Sequence, residues 1–91
     1  QEAYRIGLVN KVVPVGSVVR EAKRLAKVLS GMSALAMGAI IAAVNEGLEK
    51  TNIDEAMWVE AEKFTGLQGS EDMVEGLSAF LEKRRPQFKD K

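Results

Sequence analysis

The sequence contains no cysteine and no histidine. Disulfides, thiolate nucleophiles, Cys/His zinc sites and Ser-His-Asp triads are therefore excluded within this chain. Net charge is missing too, because 13 Lys and Arg residues balance 13 Asp and Glu residues. Nothing in that overall balance points to a nucleic-acid partner. The longest apolar run, Ala34 to Val44, falls well short of the ~20 residues that cross a bilayer, so no membrane partner is expected. The N-terminus is polar, without the charged-then-apolar pattern and cleavage site of a leader. The lack of disulfides suits a reducing compartment, and a cytoplasmic location is the expectation. The chain opens on Gln1 in place of methionine, which predicts that it is cut from something longer.

What is present is mostly helix. Ser70 is a good N-cap, Glu71 and Asp72 place negative charge at the positive end of a helix dipole, and Met73, Val74, Leu77, Phe80 and Leu81 share one face. Lys83, Arg84 and Arg85 follow, and Pro86 forbids continuation, so a helix is predicted from about 71 to 85. Gly76 inside it costs about 1 kcal/mol relative to alanine, a cost that close approach of another backbone or a ligand would explain.

From the start of the chain, residues 1 to 5 read as a helix end, with Gly7 placed to cap it in a left-handed conformation. Leu8 to Val13, rich in β-branched residues and closed by Pro14, reads as a short strand. A lone strand has no partner in this sequence, so either truncation or obligatory assembly is expected. Ser17 is placed to cap a second helix with Val18, Ala22, Leu25, Ala26 and Leu29 on one side and Arg20, Lys23, Arg24 and Lys27 opposite. That apolar side lacks Trp and Phe, which favours ordinary packing over a membrane surface. Ser33 caps a third helix to about Glu46. Its run from Ala34 to Val44 has no polar side chain, so part of its surface should meet another domain or subunit. Asn52 with Glu55 forms a capping box that opens a fourth helix through about Phe64. Trp58 lies off its apolar stripe and reads as a partly buried packing residue, with an interface role as the alternative.

Six bases lie between residues 5 and 27 and nine acids between residues 46 and 75, blocks that solvated helix faces ordinarily produce. The paired carboxylates Asp54/Glu55, Glu60/Glu62 and Glu71/Asp72 sit at helix starts or on charged faces. Solvation or capping explains them better than acid/base catalysis, which needs a pocket that shifts a pKa. The expected fold is mainly α: one short N-terminal strand followed by about four amphipathic helices.

The C-terminal stretch E-D-M-V-E-G-L-S-A-F-L-E-K-R-R-P-Q-F resembles the last helix of the crotonase (enoyl-CoA hydratase/isomerase) superfamily. Glu71, Asp72, Glu75, Gly76, Ala79, Phe80, Glu82, Lys83, Arg84, Pro86 and Phe88 match it without a gap. The early stretch G-L-V-N-K-V-V-P, from Gly7 to Pro14, is similar to a segment that follows the active-site region in that family. Members often carry a proline where Ala34 stands and a lysine where Ile41 stands, and this chain has neither.

The resemblance implies that residues 1–14 end a catalytic-core region and that residues 15–91 are a C-terminal helical lid and oligomerisation segment. It implies a parent enzyme that holds an acyl-CoA thioester oxygen with two backbone amides and adds water to a 2-enoyl-CoA, needing no separate cofactor. Those catalytic elements lie outside the matching portion, so no catalytic residue is expected here. The resemblance further implies a trimer-based homo-oligomer, and that Phe80 and Lys83 approach the adenine and 3′-phosphate of CoA. Without the resemblance, Phe80 reads as core and Lys83 as a helix-end cation. The competing reading is a stand-alone helical interaction module without enzymatic activity.

Overall fold

A computed structural model describes all 91 residues. Helices α1 (Glu2–Arg5), α2 (Val18–Leu29), α3 (Ala34–Leu48), α4 (Ile53–Thr65) and α5 (Glu71–Glu82) follow one another. Their starts are set by local chemistry. The Ser33, Asn52 and Ser70 side-chain oxygens accept from the amides of Ala36, Glu55 and Met73, each satisfying a donor that has no partner inside the helix. The reciprocal half of the capping box is shifted by one residue: the Glu55 carboxylate accepts from the Thr51 amide at 3.3 Å. Ser17 departs from expectation, making no cap and accepting from the Arg20 guanidinium instead.

The short α1 closes as the glycine predicts. Gly7 takes φ +76°, and the amides of Gly7 and Leu8 reach back to the carbonyls of Tyr4 and Ala3. The strand expected over Leu8–Val13 does not form; the segment is irregular and contains no ladder. Its β-branched residues favour extension, but a strand is completed by hydrogen bonds to a neighbour, and no second strand exists in this chain to supply them. The segment instead runs along α2, tied by Lys11 Nζ to Glu21 at 2.7 Å, with Val13 half-buried beside Val18, Ala22 and Leu25.

α3 and α4 are the one pair of helices that packs extensively. Gly47 lets α4 approach, its missing Cβ position lying 3.6 Å from the Ala56 methyl carbon. Val59 is buried, and Lys63 reaches Glu46 at 2.7 Å. Beyond this hairpin the molecule is a slab of 45 × 39 × 19 Å with a radius of gyration of 16.8 Å. A compact domain of this length has a radius near ~12 Å. Only Ser33, Val59, Asp72 and Ala79 are buried. The accessible surface is 7825 Å², against about 5,200 Å² for a compact monomer of this mass. The apolar faces of α2, α3 and α5 are formed but uncovered, with Leu25, Ile40, Ile41, Leu77 and Leu81 all exposed.

Candidate functional site

Helix α5 ends three residues earlier than its apolar period and cations suggest, at Glu82. The reason is a chain reversal. Lys83 takes the left-handed conformation (φ 54°, ψ 40°), Arg84 donates its amide to the Ala79 carbonyl at 3.0 Å, and residues 84–91 turn back along α5. The cations expected in the last helical turn therefore lie beyond it.

The returning tail is held by residues of α5 that the sequence motif contains. Glu75 receives a two-pronged contact from the Arg84 guanidinium at 2.6 and 2.9 Å and a third hydrogen bond from the Gln87 amide at 2.8 Å. Arg84 foremost, with the Gln87 amide, lowers the Glu75 carboxyl to about 2. One turn earlier, buried Asp72 accepts from the Ser33 hydroxyl at 2.5 Å and from the amides of Lys89 and Asp90 at 2.7 and 3.1 Å. Burial pushes the Asp72 carboxyl up, but these hydrogen bonds outweigh it and leave the group below its ordinary value. The Asp90 carboxylate in turn caps α3 by accepting from the Ala34 amide at 2.8 Å. Between the two carboxylates, the Phe88 ring lies over Gly76, 3.5 Å from where a Cβ would stand. The neighbour at Gly76 is thus an aromatic ring of the same chain, neither a backbone nor a ligand, and at 3.5 Å it leaves ordinary room for a methyl group.

Phe88 also closes one side of a cleft of about 420 Å³ whose apolar wall includes Met32, Leu35, Phe64, Leu67 and Leu77. Phe80 and Lys83 lie away from this wall. Phe80 is 81% exposed, so the reading that placed it in the core fails within this chain. Lys83 is exposed and forms no ion pair, whereas neighbouring Arg84 is fully engaged by Glu75 and Glu82. Trp58, expected to be partly buried, is 76% exposed on the outer side of α4. Among the paired carboxylates, Asp72 alone is buried, and its contacts are structural. The roles of Glu75, Arg84 and Phe88 were not legible from helical periodicity, because their contacts cross a chain reversal. Their one signal was membership of the ungapped motif.

The enoyl-CoA hydratase/isomerase family pattern matches residues 1–91. Crotonyl-CoA hydratase of Syntrophomonas wolfei is 45% identical over 87 residues, covering 96% of this chain and 33% of that protein. The short-chain-enoyl-CoA hydratase of Clostridium acetobutylicum is 37% identical over 84 residues, covering 92% of this chain and 32% of the relative. The crystal structure of an enoyl-CoA hydratase/isomerase from Mycobacterium paratuberculosis superposes with a TM-score of 0.94 at 27% identity, covering 100% of this chain and 36% of that one. The chain thus spans about a third of the length of the curated relatives it matches.

Proposed function

The chain belongs to the enoyl-CoA hydratase/isomerase family, and from that premise we propose that it is the C-terminal helical segment of an acyl-CoA-processing enzyme. In this reading the parent enzyme adds water to a 2-enoyl-CoA, and the segment contributes an active-site cover and a subunit interface. Its own residues bind and exclude water, while the reacting carbons are served from elsewhere.

The observation that carries this reading is the uncovered surface. The excess over a compact monomer is about 2,600 Å². A standard protein interface removes about 800 Å² per partner, so one partner alone would leave most of the excess in water. A catalytic core on one side of the slab and neighbouring subunits on the other supply the needed area. The uniformly apolar α3 and the exposed Trp58 are natural parts of such contacts.

Phe80 and Lys83 are the residues proposed to meet the nucleotide end of CoA. They are three positions apart at the end of α5, both exposed: a ring able to stack on a base and a cation able to pair with a phosphate. The chain alone should show no turnover of crotonyl-CoA and should self-associate at micromolar concentration. Joined to a family catalytic core it should assemble into a defined oligomer with hydratase activity. A well-folded, monodisperse monomer of the 91-residue chain in sedimentation would instead favour a free-standing interaction module.

A further inference from the structure

Three cations follow α5 in a row, and the structure gives them different tasks. Arg84 is committed: its Nη atoms grip Glu75 at 2.6 and 2.9 Å, and its Nε donates to Glu82 at 2.6 Å. Lys83, one residue earlier, has no partner and a left-handed backbone. That conformation is cheap for glycine and costs a side-chain-bearing residue ~1–2 kcal/mol, which makes glycine the usual choice at a helix end of this type. A lysine stands there instead. Strain of this kind persists where surrounding contacts over-determine the backbone and where the side chain has a use.

We infer that the Glu75–Arg84–Glu82 cluster is a positioning clamp that holds Lys83 in its left-handed conformation and so fixes where the Lys83 ammonium is presented. The geometry is that of a reversal secured from both ends. On the helix side, the amides of Lys83 and Arg84 bond back to Phe80 and Ala79 at 3.3 and 3.0 Å. Together they are the paired bonds of a Schellman cap, which uses a left-handed residue at this position. The shorter is of ordinary strength and the longer is weak, so the cap restrains residue 83 only in part. On the tail side, Arg84 reaches back nine residues to Glu75, and Glu75 also takes the Gln87 amide. Residue 83 is thereby held between a helix end and an anchored tail, in the left-handed conformation that carries the chain from one to the other. A planar, five-donor guanidinium suits this task better than an ammonium, because two prongs on one carboxylate define an orientation as well as a distance. Glu75, Arg84 and Glu82 are positioning residues that act through Lys83. That the presented ammonium meets the CoA 3′-phosphate rests on the function proposed above.

The test is a pair of cycles in the full-length protein that carries this segment. Lys83→Gly relieves the strain and should raise the folding equilibrium constant about 5- to 30-fold. In an Arg84→Gln background, where the turn is free to relax, that gain should vanish, and Arg84→Lys should keep part of it. An equal gain in both backgrounds would overturn the inference, since the helix-end hydrogen bonds alone would then set the conformation. If Arg84→Gln does not fold, Glu75→Gln serves the same cycle. The second cycle measures the preference for CoA over dephospho-CoA. Arg84→Gln should lower it to the level of Lys83→Ala, with no further loss in the double variant. An additive loss would make Arg84 itself a phosphate contact and reject its positioning role. A clamp confirmed by the glycine cycle, with no change in phosphate preference, would leave the clamp standing and remove the CoA reading.

Discussion

Truncation of Phe80 is a direct probe of the proposed ligand role, because within this chain the ring has little packing to lose. Truncating a core phenylalanine costs ~3–5 kcal/mol of stability, which would confound any loss of binding. Here the ring is 81% exposed, so Phe80→Ala deletes few contacts within the chain. Its intrinsic effect on folding should stay within about 0.5 kcal/mol, as for other surface substitutions. Stacking of an aromatic ring on a base is worth ~1–3 kcal/mol, which predicts a rise in KM of roughly 5- to 150-fold for the CoA ester. Because the contact is remote from the reacting carbons, kcat should change little. Steady-state kinetics of the proposed parent enzyme, or of this segment joined to a family catalytic core, with crotonyl esters of CoA, dephospho-CoA and pantetheine would separate the parts of the ligand. Phe80→Ala should weaken the first two alike and leave the pantetheine ester, which has no adenine, untouched. Lys83→Ala should weaken only the CoA ester, by about ten-fold or more for a charge-assisted contact of ~1.5–3 kcal/mol. Equal losses with all three esters would mean that Phe80 packs against another part of the assembled enzyme, and its assignment to the adenine should then be abandoned.

Other outcomes follow from the tail and its anchors. Gly76→Ala should stabilise the protein by up to ~1 kcal/mol in urea denaturation, because the new methyl meets the Phe88 ring at an ordinary 3.5 Å and helix propensity improves. Ser33→Ala should cost about 1 kcal/mol through the lost cap, and more where Asp72 is left short of a donor. Acid should loosen the tail. Glu75 sits at about 2 in the folded chain against an ordinary 4.5, so its stabilising contribution is complete above pH ~4.5 and is lost as pH falls toward ~2. Protection of the Gln87 amide from exchange, relative to an unstructured amide at the same pH, should fall across that window, while Glu75→Gln should abolish this pH dependence.

The helices were legible because their signals are local. Ser33, Asn52 and Ser70 cap within three residues of the groups they satisfy, and the glycine at 7 meets a requirement of its own backbone. Leu8–Val13 misled because β-branched residues state a preference that only a second strand can realise. The end of α5 misled for a related reason: cations and Pro86 mark where a helix must stop, but Lys83 stops it sooner through contacts made by residues further on. Apart from the family resemblance Phe80 reads as core, and Trp58 reads as a packing residue with an interface role as the alternative; the structure exposes both. Whether a large ring is covered depends on how much chain exists to cover it, and this slab offers little on either face. The motif around Asp72, Glu75 and Gly76 was visible as a pattern. Its physical content, a tail laid back along its own helix, required coordinates.

The contacts at Asp72 also bear on the order in which the molecule assembles. The α3–α4 hairpin joins neighbours across a few residues, and such local structure forms within microseconds. The bond from Ser33 to Asp72 closes a span of 39 residues, and that from Ala34 to Asp90 a span of 56. In an unstructured chain, closing loops of that size costs about 3–4 kcal/mol of entropy, and the α3–α4 hairpin, lying within both spans, shortens them once it has formed. These hydrogen bonds should therefore form after the hairpin, and until they do the Phe88 side of the apolar cleft stays open.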